Sequence, residues 1–280
     1  MYSSISIIVV LYHPDIEHLK QCVESLQEDS YTIILVDNTP GGCDCSCLKV
    51  ENIHMIQNGE NLGIATAQNI GIRKSKALSC EYAFFFDQDS DINSDFVKNL
   101  FSEYQRLSEV YPNLAALGPR VINKSTGKFY KEEDEEILHD AKIVSTLISS
   151  GSIIPMRVLD DVGYMEERLF IDYVDFEWAW RAQREGYICC ITNHVLLYHQ
   201  VGKRASSLFG YPVIISSPVR YYYQYRNSLA LLKRKYVPLR WKILNTIRKI
   251  CEFAIVPFYI ESASLFFRNA YKGIKDGYQY

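Results

Sequence analysis

No apolar run in the C-terminal region of this sequence approaches the ~18 residues that a bilayer-spanning helix needs. The longest uncharged one, Phe253 to Ile260, excludes a helical span there. A secretory signal is also missing, because Ile5 to Leu11 is too short an apolar run and lacks a basic flank. The eight cysteines are therefore read as reduced thiols in a cytosolic setting. Cysteine pairs at zinc spacing are absent. Cys43-Asp44-Cys45-Ser46-Cys47 has one-residue gaps and no second ligand pair, which favours a surface loop over a metal centre. Internal repeats and low-complexity segments are absent as well.

Charge is scarce overall but unevenly placed. The formal net charge is -3, yet residues 218–280 carry twelve Lys/Arg against three Asp/Glu, a balance of +9, leaving -12 for residues 1–217. An acidic body with a basic, aromatic tail points to a tail that meets an anionic surface. A nucleic acid is not among the expected partners. The length suits one large domain, or one with an appendage, and a hydrophobic fraction of 48% supplies a sizeable core.

Strand and helix patterns alternate along the first half. Ile5 to Leu11 reads as a buried strand, and a helix after Asp15 places Leu19, Cys22, Val23 and Leu26 on one face. Tyr31 to Val36, Ile53 to Ile56 and Tyr82 to Phe86 read as further strands, with a helix over Gly63 to Lys76. This order predicts an α/β fold with a mostly parallel central sheet and helices on both faces. Beyond it, a helix is expected over Asp95 to Glu109 and a strand over Leu114 to Gly118. Lys131 to Asp140 reads as a charged, exposed excursion. Thr146 to Ile154 is strand-like, a short helix runs from Pro155 to near Gly163, and Asp172 to Glu185 reads as a longer one. Tyr187 to Thr192 and Leu196 to His199 close the body as strand.

Chemistry concentrates at strand ends. Asp87-Gln88-Asp89-Ser90 follows the run Tyr82 to Phe86, so carboxylates at i and i+2 are expected on one side of the strand at the sheet edge where ligands of open α/β sheets bind. A hard divalent cation with a diphosphate would explain such a pair; a solvated Asp-rich turn is the plainer reading. Asp37-Asn38 closes the second strand and can accept from a base imide or a ribose hydroxyl. The small residues between Asn61 and Gly71 suit either close approach of a nucleotide or packing of the helix. A second acidic cluster runs from Asp172 to Glu177, with Asp172 and Asp175 predicted on one helical face. A carboxylate beside Phe176 and Trp178 can be desolvated and so serve as a general base. His199 is either a metal ligand or a surface histidine.

In order, Val9-Val10-Leu11-Tyr12, Val36-Asp37-Asn38, Asn61-x-Gly63 through Asn69-x-Gly71, Asp87-x-Asp89, Ser150-Gly151-Ser152, Phe170-Ile171-Asp172 through Arg181 and His199 resemble the family 2 glycosyltransferases. Phe85-Phe86-Asp87-Gln88-Asp89-Ser90 and Tyr221 to Ser228 look most like the bacterial rhamnosyltransferases of polysaccharide assembly, and the match runs over about residues 5–232. The resemblance implies a GT-A fold, a nucleotide-sugar donor (dTDP- or UDP-linked), Mg²⁺ or Mn²⁺, and inversion at the anomeric carbon. It implies that Tyr12, Asp37, Asn38, Asn61, Gly63, Asn69, Asp87 and Gln88 serve the nucleotide sugar, and that Asp87, Asp89 and His199 hold the metal. Ser150, Gly151, Trp178 and Arg226 are carried to the acceptor side, and Asp175 or Asp172 to the role of base. The implied organisation is a catalytic domain over 1–235, with a nucleotide half to 118 and an acceptor half from 119, then a helical tail over 236–280.

In that tail, Trp241, Leu244, Ile247 and Ile250 recur near helical spacing with Arg240, Lys242, Arg248 and Lys249 between them. Such a helix either lies in a membrane interface or packs on protein, including a second copy in a homodimer. The expectation is an enzyme peripheral on the cytoplasmic face of the inner membrane, moving a deoxyhexose, by the resemblance L-rhamnose from dTDP-rhamnose, to a lipid-linked glycan. A UDP-hexose donor on the same machinery is the nearest alternative. A sugar-nucleotide nucleotidyltransferase is disfavoured because Tyr12-His13-Pro14 stands where its Gly-rich basic loop belongs.

Overall fold

The computed structural model describes residues 4–26, 30–45, 48, 52–123, 127, 129, 141–199, 204–208 and 211–280, without the side chains of 123, 199, 204–208 and 211–214. Lys131 to Asp140 and Cys47 lie outside the described residues. The first half is built as its pattern predicts. Strands β1 (Ile5–Leu11), β2 (Thr32–Asp37), β3 (Ile53–Gln57) and β4 (Tyr82–Asp87) are interleaved with helices α1 (Ile16–Glu24) and α2 (Ile64–Ala77). Helix α3 (Ser94–Val110) follows, capped at its start by the Asn93 side chain, which accepts from the Phe96 amide.

One eight-stranded sheet forms the centre, in the order β3-β2-β1-β4-β7-β5-β8-β6, completed by β5 (Leu114–Asn123), β6 (Ala141–Val144), β7 (Ser152–Pro155) and β8 (Ile188–His199). The strands β3, β2, β1 and β4 are parallel throughout. Past β4 the sheet becomes mixed: β7 runs antiparallel to both β4 and β5, β5 and β8 are parallel, and β6 is antiparallel to β8. β9 (Arg204–Leu208) and β10 (Tyr211–Ile214) form a separate antiparallel pair.

Alternation along β1 divides the core between the two faces. Ile5, Ile7, Val9 and Leu11 pack with Phe84, Phe86, Leu19 and Leu100 on one side, and Ile8 and Val10 pack with Phe85, Ala65 and Ile72 on the other. A Cβ on Gly71 would collide with the Ile8 side chain, so the small residues of α2 serve packing on the sheet.

Two expectations are corrected. Only the end of the Thr146–Ile154 segment is strand, because Ser150 and Gly151 form a turn in which Gly151 has φ of 76°. The Asp172–Glu185 helix begins late: α4 (Met156–Val162) and a single 3-10 turn (Glu167–Leu169) are followed by α5 (Val174–Arg184). Asp172 and Tyr173 precede α5 with φ of 67° and 66°, so Asp172 does not share a helical face with Asp175. The C-terminal part comprises α6 (Pro218–Leu232), α7 (Leu239–Ile255) and α8 (Ala263–Gln279). Helix α8 lies close along α6, where Gly273 and Gly277 face backbone of Tyr222 and Arg226 with no room for a Cβ.

Candidate active site

The parallel strands end together at one edge of the sheet, and the loops there carry most of the residues singled out above. Asp37 ends β2 and is 0% exposed. Its carboxylate accepts from the Thr39 amide (2.8 Å) and the Cys43 amide (2.7 Å) and thereby folds the loop that follows. Burial would raise its pKa, but the Thr39 and Cys43 hydrogen bonds outweigh burial and hold it below the ordinary carboxylate value. Cys43 and Cys45 are half-buried, packed against the core rather than held on the surface. Asn38 is equally engaged: its amide donates to the Gly63 carbonyl (3.0 Å) and its oxygen accepts from Asn58 (2.7 Å). Asp37 and Asn38 thus brace the loops at this end of β2.

Asn61 accepts from the Gly63 amide (3.0 Å) at the start of α2. Gly63, with φ of 83°, lets Phe170 lie where a Cβ would be 2.6 Å from its ring. Asn69 has a different use from the one expected. It is buried, donates to the Met165 carbonyl and to Glu167, and accepts from the Met165 amide, which pins the 165–167 segment to α2.

Asp87 is the last residue of β4, so the strand alternation that would have paired it with Asp89 stops short. Asp89 lies exposed in the turn beyond it. The turn is fixed from beneath: Ser150 Oγ accepts from the Asp87 amide (3.2 Å) and lies 2.9 Å from Ser90 Oγ, and the Gly151 amide donates to the Phe85 carbonyl. Ser150 and Gly151 therefore support the acidic turn. Gln88 grips Tyr12, accepting from its amide (2.6 Å) and donating to its carbonyl (3.0 Å), which leaves the Tyr12 ring 47% exposed at the mouth.

The second acidic segment closes on the first. Asp172 is held by Arg220, whose Nε and Nη2 lie 2.8–3.0 Å from the carboxylate oxygens. Burial works against the Arg220 charge, but Asp172 and then Asp87 outweigh it and raise its pKa. Asp175 accepts from the Phe176 amide (2.9 Å). Burial pushes the Asp175 carboxyl up to about 6, and the negative charge of Asp87 adds to the rise. Asp87, Asp172, Asp175 and Arg220 therefore form one electrostatic unit at the sheet edge.

Phe170, Asp172 and Tyr173 all have positive φ, each at a cost of about 1–3 kcal/mol. They are restrained from the C-terminal helices. Asn227 donates to the carbonyls of Leu169, Ile171 and Asp172 at 2.8–3.2 Å, and Arg226 donates to those of Arg168 and Leu169. Phe170 stacks on Tyr223 at 4.5 Å, and Tyr173 reaches Asn245 of α7. Arg226 is a clasp for this loop. Trp178 is buried and donates to the Gly163 carbonyl. Below α5, Glu177 is 0% exposed and receives Arg181, Arg234 and Tyr236. Sequence reasoning missed Arg220 and reads Asn227, with Arg226, only as a residue lining the site; the Tyr221–Ser228 run beside Arg220 was the available signal.

A divalent cation suits what is present. Asp87 and Asp89 are hard oxygen donors at the sheet edge, and Mg²⁺-like ions bind through one or two carboxylates plus substrate phosphates. Among the described residues no three His, Cys, Asp or Glu converge as a closed metal cage. His199 ends β8 opposite Asn123, and its side chain is outside the description.

The chain matches known proteins over most of its length. It is 33% identical over 268 residues to the dTDP-rhamnosyl transferase RfbF of Shigella flexneri, covering 91% of this chain and 89% of that one. It is 26% identical over 206 residues to the low-salt glycan biosynthesis hexosyltransferase Agl10 of Haloferax volcanii, covering 66% and 64%. The crystal structure of S. aureus TarS superposes with a TM-score of 0.59 at 14% identity, covering 98% of this chain and about half (48%) of that one. The glycosyl transferase family 2 model matches residues 6–163, and with the RfbF relationship this shows that the chain belongs to that family and is a glycosyltransferase with the GT-A fold.

Proposed function

We propose that this enzyme transfers L-rhamnose from dTDP-rhamnose to a growing lipid-linked glycan in cell-surface polysaccharide synthesis, with inversion at the anomeric carbon. The observation that carries the chemistry is the meeting of Asp175 with Asp87 at the sheet edge, with the Asp175 carboxyl raised to about 6. The donor assignment is supported by the similarity to the Shigella dTDP-rhamnosyl transferase.

In this reading Asp175 takes the proton of the acceptor hydroxyl as that oxygen bonds to the sugar C1. The bond from C1 to the diphosphate oxygen breaks, and the nucleoside diphosphate leaves with the electron pair. A base with a pKa near 6 is ionised at neutral pH and still basic enough to help, an effect of about 10²–10⁴-fold. Asp87 and Asp89, with His199, would hold Mg²⁺ or Mn²⁺, which when bound stabilises the charge developing on the diphosphate. Arg220 holds Asp172 in place and so keeps a second carboxylate from competing for the acceptor proton. The exposed Tyr12 ring borders the nucleotide side, on the wall that Asp37 and Asn38 shape. The lipid-linked acceptor places the enzyme at the cytoplasmic face of a membrane.

A thermal-shift screen with Mn²⁺ tests the donor. A metal-dependent shift with dTDP-rhamnose that exceeds those with UDP- and GDP-sugars is expected, and chelation should remove it. A shift with UDP-sugars alone would overturn the rhamnosyl assignment and keep the fold. Product NMR reads the anomeric configuration, and retention would sink the direct-displacement mechanism.

A further inference from the structure

Helix α7 is inside out. Two polar residues face the protein: Asn245 donates to Ser228, and Lys249 is buried against Gln224 and the Tyr225 ring and pairs with Glu252. Trp241 packs inward on Trp180 and Tyr173, but a row of aliphatic residues faces outward. Leu239, Ile243, Ile247 and Ile250 recur at the spacing of one helical face, with Leu244 beside them, and all are exposed, Ile247 by 54% and Ile250 by 65%. Burial of apolar surface normally drives a helix to dock the other way round, so this orientation needs an outside partner.

The face continues across a groove. A cavity of about 330 Å³ runs between α6, α7 and α8, lined by Leu229, Leu232, Ile250, Phe253 and Ile274. On α8, Phe267 packs against Phe253 while Tyr271 and Tyr278 remain exposed beyond it. Exposed cations lie on the same two helices at Arg240, Arg248, Arg268, Lys272 and Lys275. With a balance of +9 over residues 218–280, two copies of this region would repel, whereas an anionic surface complements it.

We propose that the α7–α8 face is the seat of the enzyme on an anionic lipid bilayer, with the α7 stripe in the acyl-headgroup boundary and the groove open to a hydrocarbon chain. The opposite side of α7 touches Tyr173, next to Asp172, so the bilayer lies about one helix diameter, roughly 10 Å, from the catalytic loop. This deepens the lipid-linked acceptor reading and gives it a surface.

Flotation of the full chain with vesicles tests it. The protein should float with phosphatidylcholine vesicles containing phosphatidylglycerol, far less with phosphatidylcholine alone, and less as salt rises. Ile243→Glu/Ile247→Glu, at exposed positions, should weaken flotation by about tenfold or more, and Arg240→Glu/Arg268→Glu should weaken it and flatten the salt dependence. Both variants should keep the wild-type thermal shift with dTDP-rhamnose and Mn²⁺. Equal flotation of wild type and both variants would overturn the proposal, as would no flotation with any vesicle. A wild-type dimer in sedimentation velocity that Ile243→Glu/Ile247→Glu dissolves, without lipid binding, would assign the face to a second copy instead. Lipid binding without any nucleotide-sugar shift would retain this inference and reject the transferase donor reading.

Discussion

Asp87 reaches the site at the end of a strand, in a turn fixed by Ser90 and Ser150 at the sheet edge, whereas Asp172 sits in a positive-φ loop, with Asp175 in the first turn of the helix after it, and that loop is restrained by side chains 48 to 58 positions later. In the proposed mechanism the carboxylates assigned to the metal therefore stand at the sheet edge, and the segment assigned to the base is restrained by α6 and α7. On that proposal the base geometry can be lost while the donor-binding edge is kept.

The sharpest test of this division is Asp175→Asn, which should lower kcat by about 10³-fold or more while dTDP-rhamnose and Mn²⁺ still stabilise the protein. Full activity in that variant would remove Asp175 from the mechanism. Next is pH. With the carboxyl at about 6, kcat/KM should fall about tenfold per unit below that value and level off above it, and the acid limb should be absent from the residual activity of Asp175→Asn. The sign for stability is opposite. A carboxyl raised above its ordinary value stabilises the fold below that value and loses the contribution as pH rises through about 6. Asp175→Asn should therefore raise the melting temperature at pH 8 more than at pH 4.

Asn227→Ala comes third. Three loop carbonyls lose their donor, so a cost of about 1–3 kcal/mol in chemical denaturation is expected, with kcat down by up to ~10²-fold and donor affinity nearly unchanged. Ser150→Ala, on the sheet side, should cost only about 1 kcal/mol and reduce metal-dependent donor binding more than kcat. If Asn227→Ala impaired donor binding as strongly as turnover, the two halves would not be separable.

The legibility of the sequence follows the same division. Buried strands and their ends carry local signals, and β1 to β4, α1 to α3 and the Asp87 turn fall where period and turn chemistry put them. The late start of α5 was not readable, because positive φ at Asp172 and Tyr173 is imposed by distant hydrogen bonds and no local residue type requires it. The structural partners of Asn38, Asn69, Trp178 and Arg226 were not legible, because polar and aromatic side chains at a sheet edge can hold the fold as well as a ligand, and only their neighbours in space show which carbonyls they hold. Of the stripe read on α7, Leu244, Ile247 and Ile250 turn outward while Trp241 turns onto Trp180 and Tyr173, and this split was not legible, since the inward polar residues are satisfied by Ser228 and Gln224 of another helix.

The Asn227 clasp also bears on how the enzyme comes into being. A ribosome that has delivered the chain through β8 has supplied every strand of the large sheet, yet the loop from Leu169 to Asp172 still lacks the side chain that gathers its carbonyls. The strained loop can be held only after α6 has emerged and folded back. During synthesis the sheet edge with Asp37 and Asp87 therefore precedes the restrained Leu169–Asp172 loop, so the two parts of the proposed site are completed at different times.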